Sequence, residues 1–194
     1  MDDPDHALHA VEAALACQAR LSQMQGAFGL PPDQKLTART GINSGEMLVG
    51  NIGSHRRFTY AAMGDAANLG SRLEGANNFY GSDIMVGERT ADLCGSSIVF
   101  RELDSIVVVG RENAVAVFEP LGPAKAIAAD KMTLKEDYEK ALALYRSADF
   151  SNARKIFEKN SEYDPVSSVM LERCQNYLAT PPENWDGSFE LSSK

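Results

Sequence analysis

The stretch Phe58-Thr-Tyr-Ala-Ala-Met-Gly-Asp-Ala-Ala-Asn-Leu-Gly-Ser-Arg-Leu-Glu74 changes its periodicity half-way along, and that change constrains the rest of the chain. Phe58 to Met63 is a short apolar run suited to a strand; Gly64-Asp65 ends it and opens a helix. In that helix Asn68 and Arg72 stand four residues apart, so an amide and a guanidinium share one face. Leu69 and Leu73 fall beside them and turn toward a core. A helix start with free amides, followed within two turns by Asn and Arg, suits an anion such as phosphate. The same residues also read as the wet face of an amphipathic helix capped by Asp65.

The chain has 194 residues, 44% hydrophobic and 24% charged, enough for one domain of moderate size plus an appendage. Its net charge of -8 argues against general nucleic-acid binding and against docking on acidic lipid. Cys17, Cys94 and Cys174 are far apart and lack Cys-x-x-Cys spacing, which predicts buried free thiols in a reducing compartment. No apolar run reaches the roughly 18 residues of a membrane span, and no signal peptide opens the chain, so the expectation is a cytoplasmic protein.

In order along the chain, Asp5 to about Met24 reads as a helix, with Ala7, Leu8, Val11, Ala14, Leu15 and Leu21 at helical spacing. His6 and His9 beside Asp2, Asp3 and Asp5 imitate a metal cluster, but capping accounts for aspartates at a helix start. Gly26 to Gln34 is a loop. Leu36–Gly45 and Glu46–Gly53 read as two strands of a hairpin turning at Asn43-Ser44-Gly45, with interrupting glycines that suggest bulges or the close approach of another backbone. Ser54-His55-Arg56-Arg57 is a basic tip. Strands follow at Asp83–Gly87, Ile98–Leu103, Ile106–Val109 and Ala114–Phe118, with a short helix over Glu88–Leu93 and a turn at Gly110–Asn113. This part is α+β.

A boundary falls near Leu121-Gly-Pro123, dividing residues 1–122 from a helical part, 123–194. Tyr138, Ala141, Leu142 and Tyr145 share one helical face; Phe150, Ala153, Ile156 and Phe157 share the next; Val166 to Leu178 forms a third helix. The spacing of Ala153, Phe157 and Pro165 resembles one tetratricopeptide repeat of about 34 residues, a unit too small to bury its own face. It is expected to pack on the first part or on a partner. Trp185 is expected to anchor the extended end in an apolar groove.

Taken together, Arg39-Thr-Gly-Ile-Asn-Ser-Gly-Glu-Met-Leu-Val-Gly-Asn-Ile-Gly53, Tyr60 to Glu74 and Val107-Val-Val-Gly-Arg111 resemble the class III adenylate/guanylate cyclase catalytic domain, over roughly Asp2 to Pro120. The helical part resembles the C-terminal extension of bacterial membrane-anchored sensor cyclases. The resemblance implies a partial ferredoxin-like sheet with helices, and conversion of a nucleoside triphosphate, ATP by preference, to a 3′,5′-cyclic nucleotide and pyrophosphate. It implies two divalent metals, magnesium or manganese, held by two aspartates, and a site shared between two catalytic domains in a homodimer or with a second cyclase domain. Asn68 matches the family's ribose-orienting Asn, and Arg72 the Arg that stabilises charge on the α-phosphoryl group.

Some family positions are altered. The metal aspartates and the purine-reading Lys of the family precede the segment that matches Asp2 to Met24, so no metal ligands are assigned here. The family's adenine-recognising Thr or Asp falls at Ala61. Its triphosphate-binding Lys falls at Val109, leaving Arg111 as a displaced substitute. The expectation is a fragment or truncated form of an adenylate cyclase, inactive on its own; the alternative is an inactive cyclase-like regulatory or protein-binding module. A partial sheet is also expected to expose an edge and an apolar face and to self-associate.

Overall fold

The computed structural model describes residues 3–29, 31, 36–54, 57–108 and 113–191. A five-stranded mixed sheet lies at its centre, in the order β1-β4-β6-β5-β7, with β1 at Thr40–Ile42, β4 at Ile84–Gly87, β5 at Ile98–Val107, β6 at Val115–Pro123 and β7 at Phe189–Glu190. β1 runs parallel to β4 and β7 parallel to β5, while β6 is antiparallel to both its neighbours. A separate antiparallel pair joins β2, Leu48–Ser54, to β3, Arg57–Met63.

β4 shows why the sheet has two covered faces. All four of its residues are buried, and successive side chains of a strand point to opposite faces. Met85 joins a cluster with Leu69, Leu73 and Tyr80 of α2, Asp65–Tyr80. Ile84 and Val86 join Ala7, Val11 and Ala14 of α1, His6–Gln23, and Cys94 of α3, Glu88–Cys94. A strand buried on both sides carries no alternation for sequence reading to find, only a short apolar run.

The expected hairpin at Asn43–Gly45 is not formed. Residues 40–42 pair with β4 instead, and the hairpin lies one segment later, Leu48 opposite Met63 and Asn51 opposite Tyr60. Gly41 accounts for this: a Cβ there would come within 2.1 Å of the Gly70 carbonyl oxygen of α2. The close backbone approach expected of these glycines is found at Gly41, with a helix rather than with a hairpin partner, whereas Gly50 has nothing close to it. The hairpin tip at His55 and Arg56 lies outside the described residues. Ile98–Leu103 and Ile106–Val107 are one strand rather than two, with a register shift between Glu102 and Asp104.

Gly64, not Asp65, caps α2; Asp65 is an acidic residue of its first turn. Cys94 and Cys174 are buried free thiols as expected, but Cys17 is exposed.

Beyond β6, which continues through the expected boundary to Pro123, come α4, Ala129–Arg146, α5, Phe150–Asn160, and α6, Pro165–Ala179. Asp149 and Asp164 cap α5 and α6 by accepting from Asn152 N and Ser167 N. The helices pack on the sheet: Tyr138, Leu142, Tyr145, Phe157 and Met170 share one core with Leu103, Ile106 and Val117. Trp185 sits against Tyr145, Phe150 and Tyr177 with ring centroids 4.9–5.4 Å apart, and its indole N–H donates to the Arg146 carbonyl. That anchor delivers β7 to the Ile106–Val107 end of β5, while β1 ends the sheet on its other side. An apolar face is exposed on the β2–β3 hairpin: Val49, Phe58 and Tyr60 share one side by register and are 54%, 64% and 73% accessible.

Candidate functional site

α2 lies over β1 because Gly41 lets the two backbones meet: a Cβ there would also come within 2.3 Å of the Glu74 amide nitrogen. Polar side chains fasten the crossing. Asn43 donates to the Ala66 carbonyl at 3.0 Å, and buried Asn77 donates to the Thr40 carbonyl at 3.0 Å. Arg39 bonds Glu74 at 3.3 Å and Asn78 at 2.8 Å. Leu69, Leu73, Ala76 and Tyr80 form the inward stripe at the spacing a helix requires. Asn68 is left exposed and Arg72 half-buried at the rim of that stripe. Among the described residues, neither side chain makes a hydrogen bond or an ion pair within the fold. An amide and a guanidinium held by a rigid helix without internal partners are donors available to a ligand.

Beside the start of α2 is a cleft of about 350 Å³, lined by Asn43, Ser44, Glu46, Asp65, Glu88 and Arg89 among others. Ser44 is fixed there by accepting from Thr90 Oγ1 at 3.0 Å. Its charged lining consists of the carboxylates of Glu46, Asp65 and Glu88 and the guanidinium of Arg89. Asn68 and Arg72 do not line it.

The remaining predicted positions separate. Ala61 is half-buried on β3 opposite Gly50 and presents a methyl group with no hydrogen-bonding capacity. Val109 and Arg111 lie outside the described residues, between the end of β5 and the start of β6. At the N-terminus, His9 Nδ1 meets Asp3 Oδ2 at 3.0 Å. That hydrogen bond raises the His9 pKa and lowers that of Asp3; Asp2 is not among the described residues. The donors present do not fit a pair of divalent cations: among the described residues no three His, Cys, Asp or Glu side chains converge on a point that could hold one.

Two buried charge clusters were not foreseen. Arg101, 2% exposed, donates to Asp164 and Glu119. Arg173 donates to Asp104, which also accepts from the Tyr80 hydroxyl. Their signal was in the sequence: Arg101 and Asp104 are charges between the apolar residues Phe100, Leu103 and Ile106 of one strand, and a buried charge is tolerated only when paired.

Residues 1–118 match the family described as the adenylate and guanylate cyclase catalytic domain, well over half of the chain. The chain belongs to that family. This cyclase domain is 37% identical to adenylate cyclase 1 of Rhizobium meliloti over 128 residues, 64% of this chain and 19% of that protein. It is 29% identical over 182 residues to the terminal-differentiation specific adenylate cyclase of Dictyostelium discoideum, covering 90% of this chain and 8% of that one. The cyclase chain therefore spans less than a fifth of these curated relatives' length. Among solved structures it resembles the adenylyl cyclase CyaB from P. aeruginosa, with a TM-score of 0.56 and 26% identity over 66% of this chain and 65% of that one. It also resembles the guanylyl cyclase Cya2, with a TM-score of 0.53 and 27% identity over 63% and 61% of the two chains. Among the described residues of the cyclase chain, no helix is long and apolar enough to cross a membrane.

Proposed function

We propose that this chain supplies the ribose- and phosphate-facing half of an adenylate cyclase site, completed by a second catalytic domain, for the conversion of ATP to 3′,5′-cyclic AMP and pyrophosphate in intracellular signalling. The observation that carries the reading is the placement of Asn68 and Arg72, four apart on the outward rim of α2 with no partner inside the described fold. Asn68 orients the ribose, and Arg72 stabilises the charge that builds on the α-phosphoryl oxygens. Arg111 is assigned to the triphosphate, while Ala61 and Val109 stand at degenerate positions without a hydrogen-bonding side chain.

A homodimer, or a pairing with another cyclase domain, covers the apolar β2–β3 hairpin, whose Val49, Phe58 and Tyr60 are mostly exposed here. Magnesium or manganese, implied by the family, finds no ligand set among the described side chains; no step is assigned to it, and the isolated chain is read as inactive. We read the sheet as part of a ferredoxin-like fold, residues 1–122 as the cyclase part, and 123–194 as a tetratricopeptide-like extension working in the cytoplasm. A second reading, a regulatory or protein-binding module without catalysis, is favoured by the Ala61 methyl group at a purine-reading position.

The test mixes this chain with a cyclase domain that keeps its metal aspartates but has its own Asn and Arg replaced. Cyclic AMP should form only in the mixture, and Arg72→Ala in this chain should remove about 3–4 kcal/mol of transition-state stabilisation, roughly a 10²–10³-fold loss of kcat. Turnover by the isolated chain, or a mixture indifferent to Arg72→Ala, sinks the proposal.

A further inference from the structure

The helix that carries Asn68 and Arg72 is held at both ends, and its far end is held by the helical extension. Tyr80, the last residue of α2, is fully buried and donates its hydroxyl to Asp104 Oδ2 at 2.6 Å. Arg173 of α6 donates Nη1 to the same carboxylate oxygen at 2.5 Å and Nη2 to the Tyr80 oxygen at 3.3 Å. Asp104 is itself fixed, because its other oxygen accepts from the Ser105 amide at 2.8 Å. The Arg173 guanidinium lies 3.5 Å from the centre of the Phe189 ring, on β7, and 5.4 Å from that of Tyr80. One residue further on, a Cβ at Gly81 would meet Pro165 Cβ of α6 at 2.8 Å, so the C-terminal end of α2 meets both the start of α6 and, at Arg173, its third turn.

We propose that Arg173 is a positioning residue for the cyclase site, holding Tyr80 through Asp104 and so setting where α2 presents Asn68 and Arg72. This rests on the reading of α2 as the site helix. A helix transmits an axial shift along its length: Arg72 precedes Tyr80 by eight residues, about 12 Å at 1.5 Å per residue. A displacement of about 1 Å at a reacting centre can cost 10²-fold in rate. Stability alone is a poor account of the cluster, since a buried ion pair contributes little that well-packed apolar side chains would not. A fork of donors joining a hydroxyl and a carboxylate on two other elements does what apolar packing does not: it fixes register. The helical extension is then part of the site's frame, and its docking is felt at Arg72.

The test compares Tyr80→Phe, which removes only the hydroxyl, with Arg173→Met, Arg173→Lys and a control, Tyr177→Phe. Tyr177 lies in the extension against Trp185 and Tyr145. In the mixed assembly described above, Tyr80→Phe and Arg173→Met should lower kcat about tenfold while KM stays within about twofold, with Arg173→Lys recovering part of the loss. Amide exchange in the chain by itself should quicken about fivefold over Leu69–Tyr80 with β4 unchanged, again partly recovered by Arg173→Lys. Unchanged exchange in α2, or an equal kcat loss from Tyr177→Phe, overturns the proposal. A silent mixture with the unaltered chain defeats the cyclase reading instead, and the exchange measurement then decides the positioning role.

Discussion

Replacing Arg101 by Met tests whether the helical extension and the sheet are one cooperative unit. Arg101 of β5 is 2% exposed. It donates to both oxygens of Asp164 at 2.7 and 3.0 Å and twice to Glu119 Oε2, at 3.1 and 2.5 Å, with its guanidinium 4.7 Å from the centre of the Tyr138 ring. Asp164 also caps α6, accepting from the amide and hydroxyl of Ser167 at 3.0 and 2.6 Å. Met fills most of the stem's volume, so the loss is that of the cation. Buried Asp164 and half-buried Glu119 then lose the cation between them, a change that costs about 3–5 kcal/mol. For a chain of this size that is roughly 6–20 °C in Tm.

The loss should depend on pH in a defined direction. Burial pushes the Glu119 carboxyl above the ordinary glutamate value of 4.5, while Arg101 pulls it down. A carboxyl whose folded pKa is raised contributes stability that is full below its unfolded value and lost as pH rises through the folded one. Without Arg101 the downward pull is gone, so the deficit is largest at neutral pH and shrinks as pH falls toward 4.5. The assay is urea unfolding followed by the fluorescence of the one tryptophan, Trp185, and by far-UV circular dichroism. The two probes should coincide, because Asp164 ties the extension to β5 and β6. Adding Glu119→Gln and Asp164→Asn to Arg101→Met should recover most of the loss. A deficit below about 1 kcal/mol at pH 7, one that ignores pH, or two separate transitions would refute the reasoning.

Ala148, between α4 and α5, has φ 63°, a left-handed conformation that an L side chain resists, so Ala148→Gly should stabilise by roughly 0.5–1 kcal/mol in the same unfolding assay. Asp149 accepts from the amide and side chain of Asn152, which lowers its pKa; the stability it contributes should be lost as pH falls below the ordinary aspartate value of 3.8, and Asp149→Asn should flatten that part of the Tm profile. Cys174 is buried, with its thiol pushed up to about 12 by burial, whereas Cys17 is exposed. Iodoacetamide should therefore label Cys17 in the native chain and reach Cys174 only on unfolding, as peptide mass mapping would report.

Much of the local structure was legible. The core faces of α4 and α5 followed from helical spacing, and Tyr138, Ala141, Leu142, Tyr145, Phe150, Ala153 and Phe157 are all buried. The outward placement of Asn68 and Arg72 on α2 followed from the same spacing. Strand pairing was less legible. Thr40–Ile42 and Leu48–Ser54 look alike as β-prone runs separated by a turn signal, but one pairs with β4 across more than forty residues of sequence and the other with β3. Nothing within the runs records which partner a backbone will find. Cys17 was expected to be buried on residue type alone, and its place on the outer side of α1 decided otherwise.

The sequence by itself determined where the helices and most strands lie, the spacing that puts Asn68 beside Arg72, and the ordered motifs that mark the cyclase family. These depend on local periodicity and on residues close together along the chain. Only the tertiary structure decided that Asp104 and Arg173, 69 residues apart, would meet, that Arg101 would reach Asp164 across 63, and that Phe189 and Glu190 would return to pair with the end of β5. Such contacts depend on packing two layers of helices on one sheet. A charged residue that a strand buries announces that it needs a partner, but not which helix will bring one.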